Sequence, residues 1–188
     1  MTGKRQHTVY IGEAPEYGKG NFFQRLEKEI ATVKKHYPDA LYLGIADGAK
    51  NNGSFLEQHA SCQLLDFFHV TEYLANISYA AYPGKTPTPK CAIWLDERCK
   101  QLKREPGAVE ILISEMEKMA QKTSLTKSVK ANLQAALTYF KNHHRMMDYA
   151  AHLENNLPIG SGGHRSGLQD AGKATALWFE YALERPRG

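Results

Sequence analysis

Leu41-Tyr42-Leu43-Gly44-Ile45-Ala46-Asp47-Gly48 is the stretch on which the fold turns. The nearly continuous apolar run from Leu41 to Ala46 suits a short strand buried on both faces. Asp47-Gly48 closes it. Upstream, Phe22, Leu26, Ile30 and Val33 recur at helical spacing with Phe23 alongside. Asn21 is placed to cap that helix and Tyr37-Pro38-Asp39 to end it. Before it, His7 to Ile11 is β-branched and aromatic, a strand pattern, and Gly12 to Gly20 reads as a loop. Downstream, Ser54 to His59 reads as a short helix and Leu64 to Val70 as a second apolar strand, interrupted by Asp66 and His69. Glu72 to Tyr82 reads as a helix. Strand and helix thus alternate three times, which implies an α/β layer with parallel strands.

The character changes after Tyr82. Pro83 to Lys90 is a linker rich in proline. From Ile93 to about His152 the pattern is helical, with a break at Pro106-Gly107. Trp94, Leu95, Cys99 and Leu102 form one apolar stripe; Val109, Leu112, Met116 and Met119 a second; Leu133, Ala136, Leu137 and Phe140 a third. Such stripes are core seams, and the lysines between them (Lys118, Lys122, Lys127) are solvated faces or nucleic-acid contacts. The pattern therefore divides the chain into an α/β layer up to Tyr82 and a helical part after the linker.

Bulk properties limit the function classes. A chain of 188 residues with 42% apolar content can bury a core. No apolar run approaches the roughly 20 residues that span a bilayer, and Met1-Thr2-Gly3-Lys4-Arg5 begins no signal peptide, so the expectation is a cytoplasmic protein without a membrane partner. Cys62, Cys91 and Cys99 have no Cys-x-x-Cys spacing and read as reduced thiols. The net charge of +4 permits a nucleic-acid partner without identifying one.

Asp47 is the foremost candidate for chemistry. Ligand sites gather at the carboxyl ends of strands in open α/β sheets, and a carboxylate there can hold a hard divalent cation. The alternative is a plain Asp-Gly turn. Asp66 and His69 form Asp-x-x-His, readable as metal ligands, a site-orienting pair or a structural hydrogen bond. Gly160-Ser161-Gly162-Gly163 lacks the Gly-Lys-Ser/Thr ending of a phosphate loop, and the adjacent His143 and His144 diverge on a helix and cannot readily share a metal.

Five segments taken in order resemble the insertion-sequence DDE transposases of the Kra group: Arg5 to Gly18, Gly44 to Lys50, Leu65 to Leu74, Trp94 to Leu102, and Pro158 to Gly162. The resemblance covers roughly residues 4 to 162. It implies a partial ribonuclease H-like core over 1–82, a helical insertion over 83–155, a core-return motif followed by a tail over 156–188, and DNA as partner. It also implies two Mg²⁺ (or Mn²⁺) ions held by Asp, Asp and Glu for phosphodiester cleavage and strand transfer. By position Asp47 resembles the second acid, while Asp66 and His69 resemble the auxiliary Asp/Cys-x-x-His signature.

This sequence departs from the family at both ends. The family's first Asp precedes the Arg-x-His-Thr strand, whereas only Met1-Thr2-Gly3 lies there. Its third acid follows Pro-Ile-Gly-Ser-Gly within Val-Thr-Glu-Ala-Ala-Cys-Lys. Here Gly163 to Ala171 reads Gly-His-Arg-Ser-Gly-Leu-Gln-Asp-Ala. Those residues can be encoded so that dropping one base yields Val-Thr-Glu-Ala-Ala-Cys-Lys-Thr, the pattern of a frameshift after Gly162. The expectation is an N-terminally truncated, frameshifted piece that holds neither the first Asp nor the third Glu. It would bind Mg²⁺ weakly and be catalytically inactive. Leu177, Trp178, Tyr181 and Ala182 give Ala174 to Leu183 the spacing of a helix, with Glu180 and Glu184 unassigned to any acid role. Two other readings stand beside this one. One is a non-enzymatic nucleic-acid-binding or interaction module using the basic insertion. The other is an unrelated metal hydrolase built on Asp47, Asp66 and His69.

Overall fold

The computed structural model describes residues 4–9, 18–84, 88–160 and 177–183. The fold is mixed α/β and mostly helical. Its elements are β1 (Lys4–Val9), α1 (Gly18–His36), β2 (Ala40–Ala46), α2 (Lys50–His59), β3 (Cys62–Leu65), α3 (Phe67–Ala81) and α4 (Pro89–Arg104). Then come α5 (Ala108–Ala120), α6 (Lys127–His143), a 3₁₀ turn at His144–Met146, α7 (Tyr149–Glu154) and β4 (Leu177–Leu183). The chain divides into two compact units, Met1–Asp66 with Asn155–Gly188, and Phe67–Glu154. They part at Asp66/Phe67, upstream of the change in composition at Pro83.

In the first unit the sheet order is β1-β4-β2-β3. β2 and β3 pair in parallel, and β4 is antiparallel to both β1 and β2. The three strands expected from the sequence therefore run in one direction, as strand–helix–strand alternation demands, and β4 alone runs against them. β2 is the apolar run: Tyr42, Leu43, Ile45 and Ala46 are all buried. Phe22, Leu26 and Ile30 of α1 are buried as their spacing anticipates, and Phe23 stacks on Phe55 of α2 with ring centroids 4.9 Å apart. α1 begins at Gly18, so Asn21 lies inside the helix and is not its cap.

Two expectations are corrected here. The second apolar run is a strand only over Cys62–Leu65; Phe67 to Val70 already belong to α3. Phe67, Val70, Leu74 and Ile77 are buried at helical spacing, and a helix buries that set on one face where a strand would split it between two. The second correction is at the other end. Leu177–Leu183 is a strand and not a helix. Trp178, Phe179 and Tyr181 favour a pleated surface, and this strand hydrogen-bonds to both β1 and β2, whose facing edges would otherwise lack partners.

The second unit is helical throughout its described residues. α3 packs on α4 and α6, and α5 packs on α6. Its core is built from the three stripes: Trp94 and Leu102 of α4, Val109, Leu112, Met116 and Met119 of α5, and Leu133, Ala136, Leu137 and Phe140 of α6 are buried. Phe67 meets Tyr149 edge-on at 4.9 Å, and Tyr73 stacks on Tyr139 at 4.1 Å. Gly107 at φ 73° turns the chain between α4 and α5, a left-handed conformation that suits glycine. Among the described residues no helix is long and apolar enough to cross a membrane.

Candidate functional site

β2 delivers Asp47 to the carboxyl end of the sheet, and the parallel register sets its neighbour. Ala46 pairs with Leu65, and the Asp66 N–H donates to the Ala46 carbonyl at 2.8 Å. Asp47 and Asp66 are thus the first residues beyond two adjacent strand ends, at the roughly 5 Å spacing of neighbouring strands. Asp66 is buried, 4% exposed, while Asp47 is half-buried.

The Asp47 carboxylate is engaged by the helix that follows it. Its Oδ1 accepts from the Ala49 N–H at 2.9 Å and from Asn52 Nδ2 at 2.8 Å. Gly48, at φ 82°, makes the reversal that lets the carboxylate reach those donors. Asn52 is wholly buried, and among the described residues its Oδ1 has no hydrogen-bond partner. The amide orientation follows from chemistry: an ionised carboxylate only accepts, so the nitrogen must face it. No side chain caps α2 at Ala49 itself, so Asp47 satisfies one of the free N–H groups at the helix start.

His69 is not on a strand end. It lies in the first turn of α3, where its Nδ1 is 3.2 Å from Glu72 Oε2. His143 and His144 each donate Nδ1–H to a nearby carbonyl, of Tyr139 at 2.8 Å and of Lys141 at 2.9 Å; a carbonyl can only accept, which fixes the proton on Nδ1. Gly160 is described, but Ser161 to Gly163 and the frameshift-like segment that follows lie outside the described residues.

The described residues do not by themselves make up a two-metal centre. Oδ1 of Asp47 is already used by two protein donors, and among the described residues no three His, Cys, Asp or Glu side chains gather where they could hold an ion. Mg²⁺ is bound through carboxylates and retained waters, so the pair at the strand ends is a thin donor set. Nor does the register of β4 bring a third acid to it. Leu177 pairs with Ala46, and Glu180 pairs with Leu43, about 10 Å further along the strands. Glu184 lies outside the described residues.

The helical unit holds a polar cluster that no sequence motif marks. Arg98 Nε and Nη2 donate to Glu115 Oε2 and Oε1 at 2.7 and 3.0 Å, and Trp94 Nε1 donates to the same Oε1 at 3.1 Å. Burial pushes the Glu115 carboxyl up, but the hydrogen bonds from Arg98 and Trp94 outweigh it and hold the group below its ordinary value. Burial likewise pushes the Cys99 thiol up, away from thiolate reactivity. A cavity of about 290 Å³ opens between Leu102, Val109 and Met147, rimmed by Glu105, Glu110, Arg145 and Asp148. Its rim mixes both signs of charge and selects no one ligand class. The spacing of Trp94, Arg98 and Glu115 across two helices carried no motif, and only an alignment of α4 against α5 could have joined them. No family model, no curated protein and no solved structure matches the chain.

Proposed function

We propose that this chain is a piece of an insertion-sequence DDE transposase with a ribonuclease H-like core, in which Asp47 is the one acid of the triad present. The observation that carries the reading is the placement of Asp47 and Asp66 side by side at the carboxyl ends of two parallel strands, the position where open α/β sheets set their ligand sites. The order of the five sequence segments from Arg5 to Gly162 supports it, as does a helical unit that follows the second of those strands. With one acid of three, the chain does not assemble the two-metal centre, and by itself it does not cleave or join DNA.

The test is reconstitution. The 188-residue chain should show no Mg²⁺- or Mn²⁺-dependent cleavage of transposon-end DNA. Supplying a strand bearing the first Asp ahead of Lys4, together with the alternative frame bearing Glu after Gly162, should give cleavage that Asp47→Ala abolishes. Restoring the frame alone should not. Cleavage by the unextended chain, lost in Asp47→Ala, would overturn the reading, as would an inert extended chain that folds.

A second reading keeps DNA contact without catalysis, and one observation favours it: the segment Lys118 to Met147 contains five lysines and one arginine but neither Asp nor Glu. The two readings are compatible, because a piece lacking the catalytic acids can retain its affinity for phosphate.

A further inference from the structure

The acid-free segment is not spread evenly over the helical unit. Lys118 lies in the last turn of α5, Lys122 in the turn that follows, and Lys127 and Lys130 in the first turn of α6. α5 packs against α6, so these four cations share one end of a helical hairpin. All four are exposed. The nearest carboxylates along α5 are already committed, Glu115 to Arg98 at 2.7 Å and Glu117 to Lys141 at 2.6 Å, and among the described residues none of the four lysines is in an ion pair.

Local helix energetics make the arrangement unusual. Cations suit a helix carboxyl terminus, so Lys118 is well placed. At the start of α6 the free N–H groups carry partial positive charge, and Lys127 with Lys130 adds to it where an acid would relieve it. Thr126 caps the helix through its hydroxyl, accepting from the Val129 N–H at 3.4 Å, and no acidic residue stands in the first turn. Between the lysines, Thr123, Ser124 and Ser128 are exposed. Ammonium groups, hydroxyls and helix-start N–H groups are the donors that contact phosphate oxygens in protein–DNA interfaces.

We infer that the α5–α6 turn is a docking surface for the phosphate backbone of duplex DNA, with Lys118, Lys122, Lys127 and Lys130 supplying the charge. The surface has no exposed aromatic to stack unpaired bases, which single-strand binders require, and four ammonium groups contacting phosphates give binding that is sequence-independent and sensitive to salt. The choice of DNA among anionic polymers rests on the transposase reading above; the surface itself rests on the charge distribution.

Fluorescence anisotropy with the intact chain and a 5′-labelled 25-base-pair duplex of random sequence, in EDTA at 50 and 200 mM NaCl, tests it. The wild type should bind, and more weakly at the higher salt. The variant Lys118→Gln/Lys122→Gln/Lys127→Gln/Lys130→Gln should lose at least about tenfold in affinity. The slope of log K against log[salt] should fall in magnitude by about 3–4, the release expected of four phosphate contacts. Lys34→Gln/Lys35→Gln, which removes charge from α1, should leave both unchanged, and circular dichroism should show the helices intact in every variant. Equal affinity and slope in the quadruple variant, equal losses in the α1 variant, tighter binding to the unpaired strand or to phosphatidylserine vesicles, or no binding at 50 mM salt would each overturn the inference. Because the assay excludes divalent metal, its failure leaves the reconstitution of cleavage untouched, and the converse also holds.

Discussion

Asn52 Nδ2 donates to Asp47 Oδ1 at 2.8 Å and so ties the end of β2 to the first turn of α2. The donor belongs to a wholly buried side chain, so removing the acceptor strands it. Asp47→Ala should destabilise the fold by about 1–3 kcal/mol, the cost of a buried polar group left unpaired. Asp47→Asn should keep most of the stability, because its amide oxygen can accept from both Ala49 and Asn52. Urea unfolding of the two variants measures this, and equal midpoints for Asp47→Ala and wild type would refute the tie.

Glu115 accepts three hydrogen bonds, two from Arg98 and one from Trp94. Its carboxyl stays ionised in the folded chain to lower pH than in the unfolded one, where the ordinary value is 4.5. The stability it contributes is therefore complete above that value and lost as pH falls through the folded value. Glu115→Gln should cost about 1–3 kcal/mol at pH 7 and should flatten the loss of stability below pH 4.5. Unfolding midpoints from pH 7 down to pH 3 check both halves, and parallel pH profiles for variant and wild type would contradict them.

Gly44 sits in the buried strand β2 beneath α2. A Cβ there would run into Leu56 Cδ2 and meet the Ala60 Cβ at 3.1 Å. Leu56 is itself fully buried, so its side chain can give way only by displacing other core groups. Gly44→Ala should therefore destabilise by about 1–3 kcal/mol through overpacking. The double variant Gly44→Ala/Leu56→Ala should recover part of the loss expected from adding the two single changes. Strict additivity in the double-mutant cycle would show that the contact is not the cause.

Phe179 pairs with Val9 on one side and with Gly44 on the other, so it lies in an interior strand. Proline lacks the N–H that such a ladder uses and is confined to sheet edges, strand starts and bulges. Phe179→Pro should lower stability by about 1–3 kcal/mol for the stranded ladder partner alone. Phe179→Val, which keeps the N–H and the strand preference, should cost less. Hydrogen exchange of the β2 amides is the sensitive measurement: they should lose protection in the proline variant, and unchanged protection would remove β4 from the sheet interior.

The sequence by itself determined whatever depends on periodicity and on near neighbours. The double-sided burial of β2, the buried stripe Phe22–Leu26–Ile30 and the three seams of the helical unit are properties of one segment at a time, and a spacing of two or of 3.6 residues suffices to read them. Asp47 at the end of its strand was legible for the same reason. Tertiary structure decided whatever depends on who the neighbour is. Leu177–Leu183 reads as helical from its apolar spacing, and the two strand edges that flank it make it a strand instead by hydrogen bonding. The run from Leu64 to Val70 divides at Asp66 because Phe67, Val70 and Leu74 are buried as one helical face. The pairing of Arg98 with Glu115 needs two helices packed side by side. The capture of Asp47 Oδ1 by Asn52 needs a left-handed glycine between them. Local pattern fixes which elements form, but which polar groups meet is set by the packing that brings distant segments within hydrogen-bonding distance.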